Sequence, residues 1–127
     1  MRPKDVLFAE THEWAKKDND IATIGITDFA VQQLSDLVYI DFPKVGQSVK
    51  KGEPFGEVES VKTVSDLISP VSGEVIEVND SVSSNLDSVG KDPYGNGWLI
   101  KVKMNNPSEL SGLLTSDAYD KHCEEGH

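Results

Sequence analysis

Hydrophobic and polar positions alternate along most of the chain in short runs, a pattern that favours strands over long helices. Residues 11 to 26 predict a hairpin: His12 and Trp14 alternate with polar neighbours, "KKDND" breaks the run, and "IATIGI" returns it as a second strand. In "TDFAVQQLS" the period lengthens to that of a helix near residues 28 to 35. Thr27 stands at its N-cap, Asp28 at the positive end of its dipole, and Ala30, Val31 and Leu34 on one side. "LVYIDFP" predicts a strand ended by Pro43, and from Gly46 to Ile76 short β runs alternate with turn formers at "VGQ", "KKGEP" and "SPVSG". That spacing is the mark of a small β barrel or sandwich. A Gly-rich loop then leads to a last strand, "WLIKVKM". "NNPSELSGLL" predicts a helix with Asn106 as N-cap, Pro107 at its first position, Glu109 completing a capping box, and Leu110, Leu113 and Leu114 substantially buried. A second short helix is predicted from about Ser116 to Cys123.

Length and composition fit one domain with a core of its own: 127 residues, 37% hydrophobic. The divisions read as a β core over about 11–104, C-terminal helices over about 106–123 and a frayed tail at 124–127. No apolar run approaches the roughly 18 residues of a membrane span, and the N-terminus lacks an apolar block with a cleavage site. The chain therefore reads as a cytoplasmic protein without a membrane partner. A lone cysteine, Cys123, cannot form an internal disulfide, which fits a reducing compartment. A net charge of -10 disfavours nucleic acid as a partner, since phosphates repel such a surface.

Candidate chemistry centres on one lysine. "EVESVKTVSDLISPVSGEV" is a near-continuous β pattern with Lys62 at its centre and no Gly, Pro or Asn beside it. Two-residue hairpin turns usually take Gly, Asn or Asp to reach positive φ, whereas Ser60, Val61, Lys62 and Thr63 are not residues that geometry favours. A turn lysine is ordinarily a solvated charge. An exposed valine beside an exposed lysine at a hairpin tip, however, suits attachment chemistry, because a modifying enzyme needs an extended, accessible segment to grip. A faint repeat, "GQSVKKG" echoed by "NDSVSSN" with Val49 matching Val82, places Lys62 between two similar halves. The loop "DPYGNGW" lacks the lysine and following helix of a phosphate-binding loop, so its glycines read as turn formers, with Tyr94 and Trp98 packing. His122, Cys123 and His127 are conceivable metal ligands, but the chain offers no second ligand cluster and no metal site is read there.

"VESVKTVSDLISPVSGEVIEVN" resembles the lipoyl-attachment signature of the glycine cleavage system H proteins. "THEW", "GITDFA", "LVYIDFPKVG" and "DPYGNGWLIKV" resemble further blocks of that family, in family order, so that the resemblance covers roughly residues 4 to 121. It implies a mainly β, lipoyl-domain-like barrel-sandwich hybrid of two small antiparallel sheets, with a short internal helix and C-terminal helices. It also implies a monomeric carrier, not an enzyme, with lipoic acid joined by an amide to Lys62 in the recognition context of Glu59, Ser60, Val61 and Thr63. The implied partners are the pyridoxal-phosphate glycine decarboxylase that loads an aminomethyl group, the tetrahydrofolate-dependent aminomethyltransferase that unloads it, and dihydrolipoyl dehydrogenase, which reoxidises the arm. A lipoate ligase or lipoyl/octanoyl transferase would install the cofactor.

Carried over residue by residue, the resemblance places Thr11, Glu13 and Asp66 at the cleft where the loaded arm folds back. Taken alone, Glu13 and Asp66 would read as solvated strand carboxylates, and His12 as a packing or hydrogen-bonding residue. Phe29 and Gln33 stand where relatives carry histidine, so the resemblance offers no histidine there. The rival readings are a biotin carrier, which would have methionines beside the lysine in place of Val61 and Thr63, and a lipoyl domain of a 2-oxoacid dehydrogenase, usually shorter and carrying "DKA". A lipoyl donor or relay protein, and a scaffold that carries nothing, complete the alternatives.

Overall fold

A computed structural model describes residues 4–34 and 36–124. In chain order its elements are β1 (Leu7–Phe8), β2 (Glu13–Asp18), β3 (Ile21–Ile26), α1 (Asp28–Leu34), β4 (Leu37–Asp41), β5 (Ser48–Val49), β6 (Pro54–Ser60), β7 (Val64–Ile68) and β8 (Gly73–Val78). Then follow α2 (Ser81–Ser84), α3 (Asp87–Lys91), β9 (Ile100–Met104), a 3-10 helix (Pro107–Gly112) and α4 (Ser116–Glu124).

The strands form two antiparallel sheets. The larger runs β1-β2-β3-β9-β8-β5 and the smaller β4-β6-β7. Inward side chains of both, among them Ile24, Ile40, Val58, Leu67, Val75 and Val102, make one buried core, the barrel-sandwich arrangement expected of this pattern. The first hairpin closes through Asn19 and Asp20, with Asn19 at φ 58, a conformation asparagine tolerates better than most residues. Trp14 lies flat over Gly25, its cross-strand partner; a Cβ there would stand 2.7 Å from the indole nitrogen. That nitrogen donates to the carbonyls of Ile26 and Pro93, which anchors the Gly-rich loop to the sheet.

Several local expectations need correction. His12 is not a strand residue: its φ of 77 puts it in a left-handed turn before β2. The segment matched to "NDSVSSN" contains α2, so Val49 and Val82 are both buried but on different kinds of element. The segment after Asn106 is a 3-10 helix with no side-chain cap. Glu109 does not close a capping box; its carboxylate accepts from the Ser72 amide at 2.7 Å and the Ser72 hydroxyl at 2.9 Å. Of the three leucines, Leu110 is buried, whereas Leu113 and Leu114 are half-buried, Leu114 being held by a backbone bridge to Phe8. The predicted cap of α1 is present, Thr27 Oγ1 accepting the Ala30 amide at 3.2 Å.

Leu110→Asp is expected to destabilise the fold by roughly 3–5 kcal/mol, because it buries an unpaired charge. Lys103→Ala, at an exposed strand position, should cost within about 0.5 kcal/mol. Equal midpoints for the two in urea would contradict this packing of the C-terminal segment.

Candidate functional site

β6 and β7 pair from Glu59↔Val64 downward and leave Val61 and Lys62 as the tip of the hairpin. The turn closes without positive φ at either residue. Ser60, buried although it lies beside the tip, replaces the usual glycine chemistry: its hydroxyl accepts from the amides of Lys62 (3.3 Å) and Thr63 (3.2 Å), while its own amide donates to the Thr63 carbonyl (2.8 Å). Serine does favour such side-chain turns, so the expectation that no residue of "SVKT" suits the geometry is corrected at Ser60. A third tie comes from outside, the Val61 amide donating to the Asp36 carbonyl at 3.0 Å. The backbone is thus fixed on both sides of a lysine whose side chain is exposed and has no ion pair or hydrogen bond among the described residues. Around it lie Val38, Tyr39, Val61 and Val64, each about half exposed or more. Below them, three carboxylates, Asp41, Glu57 and Asp66, stand abreast on adjacent strands.

Beneath the hairpin a cavity of about 160 Å³ opens between the turn before β2, one side of α1 and the hairpin strands. Thr11, His12 and Glu13 form one wall, Phe29, Ala30 and Gln33 another, and Val58, Ser65, Asp66 and Leu67 the third. Glu13 is 2% exposed, far from the solvated strand carboxylate its residue type would suggest. One carboxylate oxygen accepts the Thr11 hydroxyl and the other accepts the Ile68 amide at 3.0 Å. Burial pushes its pKa up to about 7, with those hydrogen bonds opposing the shift. The cavity therefore holds a carboxyl poised between its neutral and charged forms, with mostly apolar walls. Such a site accepts a slender chain ending in a cation, because an ammonium leaving water needs a carboxylate to offset its desolvation.

The structure brings Thr11, Glu13 and Asp66 to one cavity. Phe29 and Gln33 line it too, and Phe29 packs against His12 with ring centroids 4.7 Å apart and planes tilted by 30°. The Ile68 amide, Ser65 and the apolar wall were missed from the sequence; the alternation of β7 would have placed Ser65 and Leu67 on the inward side. Tyr119, whose hydroxyl reaches His12, was missed as well. His122 Nε2 lies 3.2 Å from the Glu10 carbonyl, and His127 falls outside the described residues, as does the predicted tail beyond Glu124.

A two-sheet β core with an exposed lysine on its hairpin tip and a cleft below has the architecture of a small carrier domain. Comparison with known proteins agrees. The family model described as "Glycine cleavage H-protein" matches residues 6–126. The glycine cleavage system H protein of Rubrobacter xylanophilus is 51% identical over 123 residues, covering 97% of this chain and 95% of that protein. The mitochondrial H protein of Oryza sativa subsp. indica is 50% identical over 118 residues, covering 93% of this chain and 72% of that one. A crystal structure of the H protein from Mycobacterium marinum superposes with a TM-score of 0.90 at 39% identity, covering 97% and 99% of the two chains. The chain belongs to the glycine cleavage H-protein family, the lipoyl carriers of that system. Among the described residues no helix is long and apolar enough to cross a membrane.

Proposed function

We propose that Lys62 is the residue that carries lipoate, and that Thr11, Glu13 and Asp66 receive the loaded end of the arm in the cavity beneath it. The observation that supports this most strongly is the hairpin tip: an exposed amine on a backbone held by Ser60 and Asp36, directly above a cleft with a buried carboxyl. When bound, the lipoyl group supplies a dithiolane that can be opened, loaded with an aminomethyl group and closed again by oxidation. The chain's own residues do the rest. Ser60 fixes the backbone that bears the attachment lysine, the walls from Phe29, Val58 and Leu67 exclude water, and Glu13 supplies the charge that meets a terminal ammonium. The enzymes served are glycine decarboxylase, aminomethyltransferase and dihydrolipoyl dehydrogenase, with a lipoate ligase or lipoyl/octanoyl transferase acting first.

Treatment of the purified chain with lipoate, ATP and a lipoate ligase, followed by intact mass and peptide mapping, tests the attachment. One lipoyl group on the peptide containing Lys62 is expected. Modification of any of the other lysines, or labelling by a biotin ligase instead, would reject the assignment.

A further inference from the structure

Two walls of the cleft are tied together by a residue that does not line it. Tyr119, from α4, is fully buried, its ring stacked on Phe8 with centroids 4.7 Å apart and planes within 11°. Its hydroxyl lies 2.6 Å from His12 Nδ1 and 2.7 Å from Thr27 Oγ1. Each of those two residues governs one wall. His12 is the middle of the Thr11–Glu13 turn, and Thr27 caps the helix that carries Phe29, Ala30 and Gln33. The two are joined a second time by the Thr27 amide donating to the His12 carbonyl at 3.1 Å.

The tie is part of a buried hydrogen-bond network. Thr27 is fully buried and its oxygen already accepts the Ala30 amide, so its own proton goes to the Tyr119 oxygen. The Cys123 sulfur is a second acceptor for the Tyr119 proton, a contact that favours the protonated phenol. Burial pushes the phenol far above its ordinary range, so Tyr119 keeps its proton and remains a donor throughout the physiological range. The Tyr119 hydroxyl can donate to His12 Nδ1 or accept from it, and in either case the contact holds the ring in place.

His12 also sits in a left-handed conformation, φ 77. A non-glycine residue stays there only when its surroundings over-determine it. The His12 amide to the Ala9 carbonyl, 2.9 Å, is one restraint on the backbone. The bond from Tyr119 is a restraint on the ring. Thr11 and Glu13, the residues on either side of this strained position, are those that form the polar end of the cleft.

We infer that Tyr119 is a positioning residue for the arm cleft: its hydroxyl, acting through His12 and Thr27, sets the gap between the turn that carries Glu13 and the helix opposite. This rests on the reading of the cavity as the seat of the loaded arm. In that role α4 is a brace behind the cleft, and the phenol's contact with His12 transmits its position to the carboxyl one residue away.

Three variants of the lipoylated full-length carrier, loaded by glycine decarboxylase and followed for ammonia release without the folate enzyme, test it: Tyr119→Phe, Glu13→Gln and Leu110→Val. Leu110 belongs to the other core cluster and serves as a control for stability. Tyr119→Phe is expected to release ammonia several-fold faster than the parent, while Leu110→Val, compared at the same interval below its own melting temperature, releases it at the parental rate. Parental release from Tyr119→Phe, or equal acceleration in Leu110→Val, overturns the proposal. If Glu13→Gln accelerates release and Tyr119→Phe does not, the cleft stands and only the positioning role falls; if Glu13→Gln leaves the rate unchanged, the cleft reading falls and takes this inference with it. The unloaded protein gives a separate readout. Two-bond nitrogen–proton NMR spectra of the His12 ring should show a change at Nδ1 in Tyr119→Phe that Leu110→Val lacks, and an unchanged Nδ1 in Tyr119→Phe would overturn the tie.

Discussion

Lys62→Arg is expected to abolish turnover in a system reconstituted from glycine, the decarboxylase, the folate enzyme and the flavoenzyme, leaving it at the level of a blank without carrier. The substitution keeps the positive charge but replaces an acylable amine with a guanidinium that stays protonated. Because Lys62 is exposed and has no bonded partner among the described residues, the change should alter stability by no more than about 0.5 kcal/mol. Loss of function without loss of fold is therefore the expected signature, read as NADH formation beside a thermal melt. NADH formation above the blank would mean that the arm hangs elsewhere.

The second large effect concerns Glu13. The loaded arm ends in a primary amine that is protonated near neutral pH, and among the residues lining the cavity Glu13 is the buried carboxyl. Glu13→Ala should speed ammonia release from the loaded carrier, in the absence of the folate enzyme, by roughly 10- to 100-fold, the equivalent of the about 1.5–3 kcal/mol of a hydrogen bond to a charged group. Glu13→Gln, which keeps the shape and an acceptor for Ile68, should behave similarly in this assay. Lipoylation of each variant reports that the hairpin has folded. Equal rates in parent and both variants would remove this carboxylate from the protection of the arm.

The raised pKa adds a pH dependence whose sign is fixed. A carboxyl at about 7 in the fold and at 4.5 when free binds more protons folded than unfolded between those values. Its contribution to stability is thus fully present below about 4.5 and is lost as pH rises through about 7. Relative to Glu13→Gln, the unloaded parent should lose stability over that window, by about 3 kcal/mol in total. Protection of the loaded arm runs the other way, since the cation needs the ionised form. It should be strongest above about 7 and fade on acidification, with the cation itself drawing the midpoint lower.

The hairpin lysine could be read from the chain because its peculiarity is local: strand pattern on both sides and a turn of unusual residues. The reason the turn tolerates them was local too, and the Ser60 hydroxyl is visible in hindsight as an ordinary serine turn. Glu13 was harder. By itself "THEW" suggests a strand edge in water; what buries the carboxyl is the Ile68 amide, 55 positions away, arriving on another sheet. The Tyr119 contacts span 107 and 92 positions, and no periodicity within α4 announces them. The helices of four and five residues, α2 and α3, complete too few turns to leave a periodic imprint, and their Ser, Asp and Gly content reads equally well as turn. Glu109 fitted a capping motif by spacing, yet the backbone took up a 3-10 turn and freed its carboxylate for Ser72.

The threefold fastening of the hairpin tip, by the Ser60 hydroxyl, the Ser60 amide and the Asp36 carbonyl, also bears on the statistics of encounter. The local concentration of a tethered group at a docked active site is set by the volume its tether sweeps, and falls roughly as the −3/2 power of tether length once the span is reached. A loose loop at the attachment point would lengthen the effective tether and spread the arm's end through a larger cloud. With the post held still, the swept volume is that of the arm alone, centred on a fixed point above the cleft. With attachment at Lys62 as proposed, the Ser60 hydroxyl thus raises the effective molarity of the cargo at each enzyme the carrier visits.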